Sequence, residues 1–167
     1  DKPAGMTSFG VVARVRRVLS EQAGKKVKVG HTGTLDPFAT GLLILCVGKE
    51  TKNAMSYTKL DKVYEATVRL GQTSTTGDPE GEITDVSDAQ PGHDEVQKAL
   101  ETFVGEITQR PPIYSAIKIG GRRAYDLARA GKDVEVPERT VTIYSLELVD
   151  YTYPELKIRA HVSSGTY

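Results

Sequence analysis

Apolar positions near the start of the chain fall in a helical rhythm. Over residues 8–21, Val11, Val12, Val15, Val18 and Leu19 share one face, Thr7 or Ser8 can cap the start, and Gly24 suits the end. Arg14, Arg16 and Arg17 occupy the other face, and Lys25, Lys26 and Lys28 follow. Val27 and Val29 alternate with lysines as in a short strand. Residues 30–41 are rich in Gly, Thr and Pro and predict a loop. The apolar run at 42–47 has the length of a buried strand, and 50–57 is compatible with a short helix.

Strict alternation returns at 63–70, with Tyr64, Ala66, Val68 and Leu70 on one side and Glu65, Thr67 and Arg69 on the other. Residues 73–82 form an acidic, turn-rich stretch. Residues 93–104 predict an amphipathic helix with Val96, Leu100, Phe103 and Val104 inward and Gly105 at its end. After Pro111-Pro112 come a strand at 113–119, a turn at Gly120-Gly121 and a helix at 122–130 closed by Gly131. Two long strands, 140–151 and 155–162, are joined at Tyr153-Pro154. Strands and helices mix without regular βαβ alternation, which predicts an α+β fold with a mainly antiparallel sheet flanked by helices.

The composition, 38% hydrophobic and 26% charged, is that of a globular domain, and no run of 18 apolar residues exists to cross a membrane as a helix. The one cysteine, Cys46, lies inside an apolar run and reads as a buried thiol, in keeping with a reducing cytoplasm. Three scattered histidines and one cysteine offer no zinc-ligand spacing, so neither a metal nor another cofactor is expected and a metal hydrolase is disfavoured. Net charge is zero, but it is unevenly spread. Residues 1–70 carry twelve lysines and arginines against six acids, and residues 71–109 carry one against nine. A basic N-terminal part beside an acidic middle can present an oriented field to a polyanion, or be ordinary solvated surface.

The segment with most chemical content is Gly30-His31-Thr32-Gly33-Thr34-Leu35-Asp36-Pro37-Phe38-Ala39-Thr40-Gly41. It sets one carboxylate among glycines and a proline, just before an apolar run. Glycine admits positive φ and close approach of a ligand, and Pro37 stiffens the residue after the acid. Such a loop can hold a nucleophile or base, but Asp in a Gly/Pro loop also commonly serves as an Asx-turn residue. On the residues alone both readings stay open.

The segment resembles the catalytic-aspartate motif of the TruB family of pseudouridine synthases. Asp1-Lys2-Pro3-Ala4-Gly5-Met6-Thr7-Ser8 is similar to that family's N-terminal motif, and Lys62-Val63-Tyr64 sits where the family keeps an active-site tyrosine. Ser163-Ser164-Gly165-Thr166-Tyr167 resembles the start of its later motif. Residues 111–118 and 120–125 also resemble it, so the likeness runs through the whole chain in order. It implies the pseudouridine synthase fold and isomerisation of the uridine at position 55 in the tRNA T loop, by base flipping and an essential aspartate, Asp36. His31 is implied to touch RNA beside the flipped nucleotide, Tyr64 to stack beneath the base, and Tyr167 to border the substrate. Lys2, Pro3, Gly33 and Leu35 are implied to support the motif. Arg14, Arg16, Arg17, Lys25, Lys26, Lys28, Lys49 and Lys52 are candidate phosphate contacts, and Arg122 and Arg123 could face RNA or solvent.

The resemblance further implies that residues 1–167 are a catalytic domain truncated at both ends, without the family's C-terminal RNA-binding domain. The family's arginine that pairs with the aspartate falls after Tyr167, so the chain by itself is expected to be inactive. The expected partner is tRNA through its T arm, with no membrane, no obligatory protein partner, a monomeric state and a cytoplasmic location. Two other readings are a tRNA-binding module that does not need Asp36, and a guide-RNA-dependent synthase that works inside a protein complex. Activity on bare tRNA separates the latter from the main reading.

Overall fold

The computed structural model describes residues 1–113, 117–124, 127, 130–131 and 135–167. The chain divides into two compact units, Asp1–Leu60 and Asp61–Tyr167.

In the first unit, helix α1 spans Ser8–Ala23. Thr7 is its cap, accepting the Gly10 N–H at 2.9 Å, and Gly24 ends it in the left-handed region at φ 61°. Val12 is buried and Val11, Val15 and Leu19 are half-buried, as the pattern predicts, whereas Val18 is exposed. Strand β1, Val29–His31, pairs antiparallel with β2, Leu45–Val47. A 3₁₀ turn, Gly48–Asn53, then leads into helix α2, Ala54–Thr58. The apolar run at 42–47 is a correction to the sequence reading. Only its last three residues form a strand, only Cys46 is buried, and Leu42 is 81% exposed. A continuous apolar run predicts a strand covered on both faces; here it belongs to a two-stranded ribbon.

The second unit is built on a four-stranded antiparallel sheet in the order β3-β10-β9-β6. Strand β3 is Lys62–Arg69, β6 is Gly105–Gln109, β9 is Arg139–Thr152 and β10 is Glu155–Val162. The two long strands stand within a residue of the bounds expected for them. Helix α3, His93–Glu101, packs Val96 and Leu100 on Leu156, with Leu70, Leu146, Leu148, Tyr151 and Ile158 around them. Its N-terminus is closed by Glu95, whose carboxylate accepts the Gly92 N–H at 2.7 Å. The helix is three residues shorter than predicted, and Phe103 and Val104, expected inward, are exposed. Gly105, at φ 115°, opens β6 rather than merely ending a helix.

The acidic stretch is not simply a loop. It is the tip of a hairpin of β4, Gln72–Ser74, and β5, Ile83–Asp85. A second small hairpin joins β7, Lys118–Ile119, to β8, Arg122–Arg123, through Gly120 and Gly121, both at positive φ. Arg122 and Arg123 therefore lie in a strand and do not open a helix. Of the two motif segments in this region, Tyr114, Ser115, Ala116 and Tyr125 lie outside the described residues. The architecture is α+β, with antiparallel sheets and, among the described residues, three α-helices.

Candidate active site

Asp36 stands at the first position of a turn that Pro37 continues and that the Ala39 N–H closes on the Asp36 carbonyl at 3.1 Å. Proline at the second position suits such a turn, because its ring fixes φ near the value required. The residues on either side of Asp36 are held from the N-terminal segment. Ser8, itself buried, donates its hydroxyl to the Leu35 carbonyl at 3.0 Å and accepts the Leu35 N–H at 2.9 Å. One side chain thus occupies both main-chain groups of the residue before the acid.

The residue after the acid is fixed as firmly. The Pro37 carbonyl accepts the Gly5 N–H at 2.7 Å and the Lys2 ammonium at 3.2 Å. That ammonium also donates to the carbonyls of Pro3 at 2.9 Å and Met6 at 2.7 Å. Lys2 is 0% exposed, rare for a lysine, and three carbonyls match its three N–H donors. Its main chain forms an antiparallel bridge with Gly41, at 2.7 and 3.3 Å. Asp1 accepts the Gly41 N–H as well, at 3.1 Å. Gly5 turns the segment at φ 77°, and Gly41 takes φ 123° at the other end of the loop. Lys2 therefore lies against the aspartate turn, with Pro3 tied to it through the carbonyl that the Lys2 ammonium engages, while the Asp36 residue itself is exposed.

Upstream, His31 pairs with Leu45 at the end of β1 and is half-buried. Its Nδ1 is buried and makes no hydrogen bond among the described residues. Thr32, buried, follows, with its N–H and hydroxyl on the Ile44 carbonyl at 3.1 and 3.4 Å. Gly30 and Gly33 do not take the positive φ that the glycine-rich segment predicts. A Cβ at Gly33 would meet nothing within 4 Å, so glycine there leaves open room beside the loop.

Tyr64 and Tyr167 belong to the second unit. Tyr64 faces Ala160 on β10, which in turn faces Leu146 on β9. The ring therefore shares the sheet face whose other end α3 covers, as the alternation at 63–70 predicts, yet the residue is 41% exposed. Tyr167 is 50% exposed and is held by two residues that sequence reasoning missed, Gln109 and Arg139. These lie thirty positions apart and meet only because β6 and β9 pair, so no local signal marks them. Ser8 was legible only as a helix cap. The candidate phosphate contacts Arg14, Arg17, Lys25, Lys26, Lys28, Lys49 and Lys52 are exposed, and Arg16 is half-buried with its guanidinium 5.8 Å from the Phe9 ring centre. Among the described residues, no three His, Cys, Asp or Glu side chains gather as a metal site would need, and no helix is long and apolar enough to cross a membrane.

Known proteins resemble this chain in sequence and fold. The model of the TruB family pseudouridylate synthase N-terminal domain matches residues 16–167. A tRNA pseudouridine synthase B from Phocaeicola vulgatus is 47% identical, over all of this chain and 72% of the relative. One from Burkholderia mallei is also 47% identical, over all of this chain and 54% of the relative. The chain thus spans about half to three quarters of the length of these curated relatives. Among solved structures, a chain in the crystal structure of a Cbf5–Nop10–Gar1 complex superposes with a TM-score of 0.70 at 28% identity, over all of this chain and 39% of that one. A chain of an H/ACA RNP bound to a substrate RNA containing 2′-deoxyuridine gives a TM-score of 0.67 at 25% identity, covering 37% of that chain. With the family model matched over residues 16–167, and an α+β fold shared with a chain of the Cbf5–Nop10–Gar1 complex, this chain belongs to the TruB family of pseudouridylate synthases, of which it carries the N-terminal domain.

Proposed function

We propose that the full-length protein of which this chain is the catalytic domain converts the uridine at position 55 of the tRNA T loop to pseudouridine, with Asp36 as the essential carboxylate. The observation that carries the reading is the rigid setting of Asp36. Both neighbours are tied through their main-chain atoms to side chains of one N-terminal segment while the acid stays exposed. Holding a reacting group in place ahead of time removes much of the entropy from its barrier.

The isomerisation breaks the bond between the ribose and N1 of uracil and rejoins the ribose to C5; the C5 hydrogen leaves to water as a proton and the freed N1 takes one up. It needs no redox step. Asp36 acts ionised, close to the nucleotide, whether on the base, on the sugar carbon or on a sugar proton. The target lies in a folded loop and is turned out of it to react. Tyr64 supplies a partly open ring beneath the flipped base. His31, at the strand end leading into the aspartate loop, lies against RNA beside that nucleotide, and the room at Gly33 admits the backbone. Tyr167 borders the substrate. Lys2, Pro3 and Leu35 hold the turn. The basic helix face and the lysines after it contact phosphates.

Sequence likeness favours a substrate of bare tRNA over guide-RNA-directed work. The relatives named tRNA pseudouridine synthase B are 47% identical, against 28% for the Cbf5-complex chain. The protein then acts in the cytoplasm as a monomer, through the T arm, without an obligatory protein partner or cofactor. The test is release of tritium to water from a T-arm stem–loop labelled at uridine C5, by the full-length protein and by its Asp36→Asn form. Release by the first alone is expected. Tight binding with release by neither would leave a tRNA-binding module and make Asp36 a turn residue.

A further inference from the structure

Gln109 ends β6 and Arg139 begins β9, and the two are cross-strand partners, so their side chains leave the same face of the sheet. Both are engaged with the segment that follows β10. The Gln109 side-chain amide donates to the Tyr167 carbonyl at 2.5 Å and accepts the Tyr167 N–H at 2.9 Å. It satisfies both main-chain groups of Tyr167, as a neighbouring strand would. The Arg139 guanidinium lies over the Tyr167 ring, 4.8 Å from its centre, within cation–π range. Its Nε and Nη2 are buried and make no hydrogen bond among the described residues.

The backbone just before the ring is shaped to the same end. Thr166 closes a turn on the Ser163 carbonyl through its N–H at 3.3 Å and its hydroxyl at 2.9 Å. Gly165, at φ 85°, leaves space for the cation, since a Cβ there would come within 3.2 Å of Arg139 Nη1. One residue's main chain is thus held by an amide and its ring by a guanidinium, while half of that residue stays exposed.

We infer that Gln109 and Arg139 are positioning residues that fix the Tyr167 ring against the substrate nucleotide. The inference rests on the reading that Tyr167 borders the substrate. Neither residue touches RNA in this role; both act through the tyrosine. Removing either frees the ring to leave its productive orientation. Small displacements of positioned groups lower a rate steeply, so Arg139→Met is expected to slow pseudouridine formation about tenfold while RNA binding stays within about twofold. Arg139→Lys keeps a cation able to sit over the ring and recovers part of the rate.

The experiment uses the full-length protein and the T-arm stem–loop, with single-turnover rates and binding measured for Arg139→Met, Arg139→Lys, Gln109→Glu, Tyr167→Leu and the Arg139→Met/Tyr167→Leu pair. Fluorine NMR of 3-fluorotyrosine placed at 167 reads the ring directly. Expected are a moved fluorine resonance in Arg139→Met and Gln109→Glu, a slow rate in both, and a double variant no slower than Tyr167→Leu alone. An unmoved resonance overturns the cradle. Full rate in Arg139→Met beside a slow Tyr167→Leu, or effects that multiply in the pair, overturns action through the tyrosine. Full rate in Tyr167→Leu removes that residue from the substrate and the inference with it. An unsubstituted protein that makes no pseudouridine defeats the proposed function itself, even where the resonance moves as expected.

Discussion

Replacing Ser8 by alanine removes one oxygen atom and, with it, both hydrogen bonds that hold the main chain of Leu35. The hydroxyl accepts at 2.9 Å and donates at 3.0 Å, and Ser8 is 2% exposed. A neutral hydrogen bond contributes about 1 kcal/mol net, but a buried donor or acceptor left without a partner costs about 1–3 kcal/mol. Two such groups would cost roughly 2–6 kcal/mol if fully buried, and the part-buried bonds here set the expected loss in the lower part of that range, roughly 2–4 kcal/mol. The lower end applies if water enters, since the space left by one oxygen is close to the ~10–15 Å³ that a water needs and offers it two polar partners. Alanine's helix propensity at the start of α1 offsets only a few tenths of a kcal/mol.

For a chain of this size a loss of 1 kcal/mol lowers the melting temperature by about 2–4 °C, so Ser8→Ala should melt roughly 4–16 °C lower. Leu35 is the residue before Asp36, so the rate should fall too, about tenfold, if the turn loses its set position. The direct assay is hydrogen exchange at the Leu35 amide in the full-length protein, together with thermal unfolding and the tritium-release rate. Protection should be lost at Leu35. Unchanged protection with a melting temperature within a degree of the parent would refute the reasoning, because it would mean that the main chain is held by something other than the serine.

Two further outcomes follow from the same geometry. Lys2→Met keeps the side-chain length but takes a charged donor from three carbonyls, each such bond contributing about 1.5–3 kcal/mol. Relief from burying an ammonium offsets part of this, so a net loss of about 2–4 kcal/mol is expected in urea unfolding, and stability equal to the parent would contradict the clamp. Tyr64→Leu, at a residue 41% exposed, should leave stability nearly unchanged but slow pseudouridine formation, whereas Tyr64→Phe keeps the ring and most of the stacking, about 1–3 kcal/mol per base; equal rates in the two variants would remove stacking from the role of Tyr64.

What was legible in the sequence was whatever a local period or a punctuating residue encodes. Thr7 and Gly24 bracket α1, the alternation around Tyr64 assigned faces that the register bears out, and the two long strands pair antiparallel as expected. Strands β4, β5 and β6 carry too few alternating apolar residues to stand out, and each exists through its pairing. Phe103 and Val104 fit the helical period of α3, but the helix ends before them and the chain turns into β6 at Gly105. Gly120-Gly121 form the turn that their sequence predicts, but the chain continues after it as strand β8, so Arg122 and Arg123 pair with β7 instead of opening a helix. At the candidate site the aspartate loop was visible as a motif, but its mechanics were not. Lysine is so rarely buried that nothing in the sequence points to Lys2 as an interior group. The pairing of Gln109 with Arg139 depends on strand register, which no short window contains.

The supports that the N-terminal segment gives the aspartate turn run to main-chain atoms. Ser8 engages Leu35, Lys2 and Gly5 engage Pro37, and Lys2 and Asp1 engage Gly41. The hydrogen bond that closes the turn uses the Asp36 carbonyl, which an asparagine would keep. A scaffold of this kind fixes the main chain at 36 through its two neighbours. That makes Asp36→Asn an informative substitution. The N-terminal segment should hold an asparagine in the same place, so melting temperature and Leu35 protection should follow the parent while tritium release disappears. A variant that instead lost release and protection together would show that the carboxylate helps to build the loop, and the inactivity would then say nothing about chemistry.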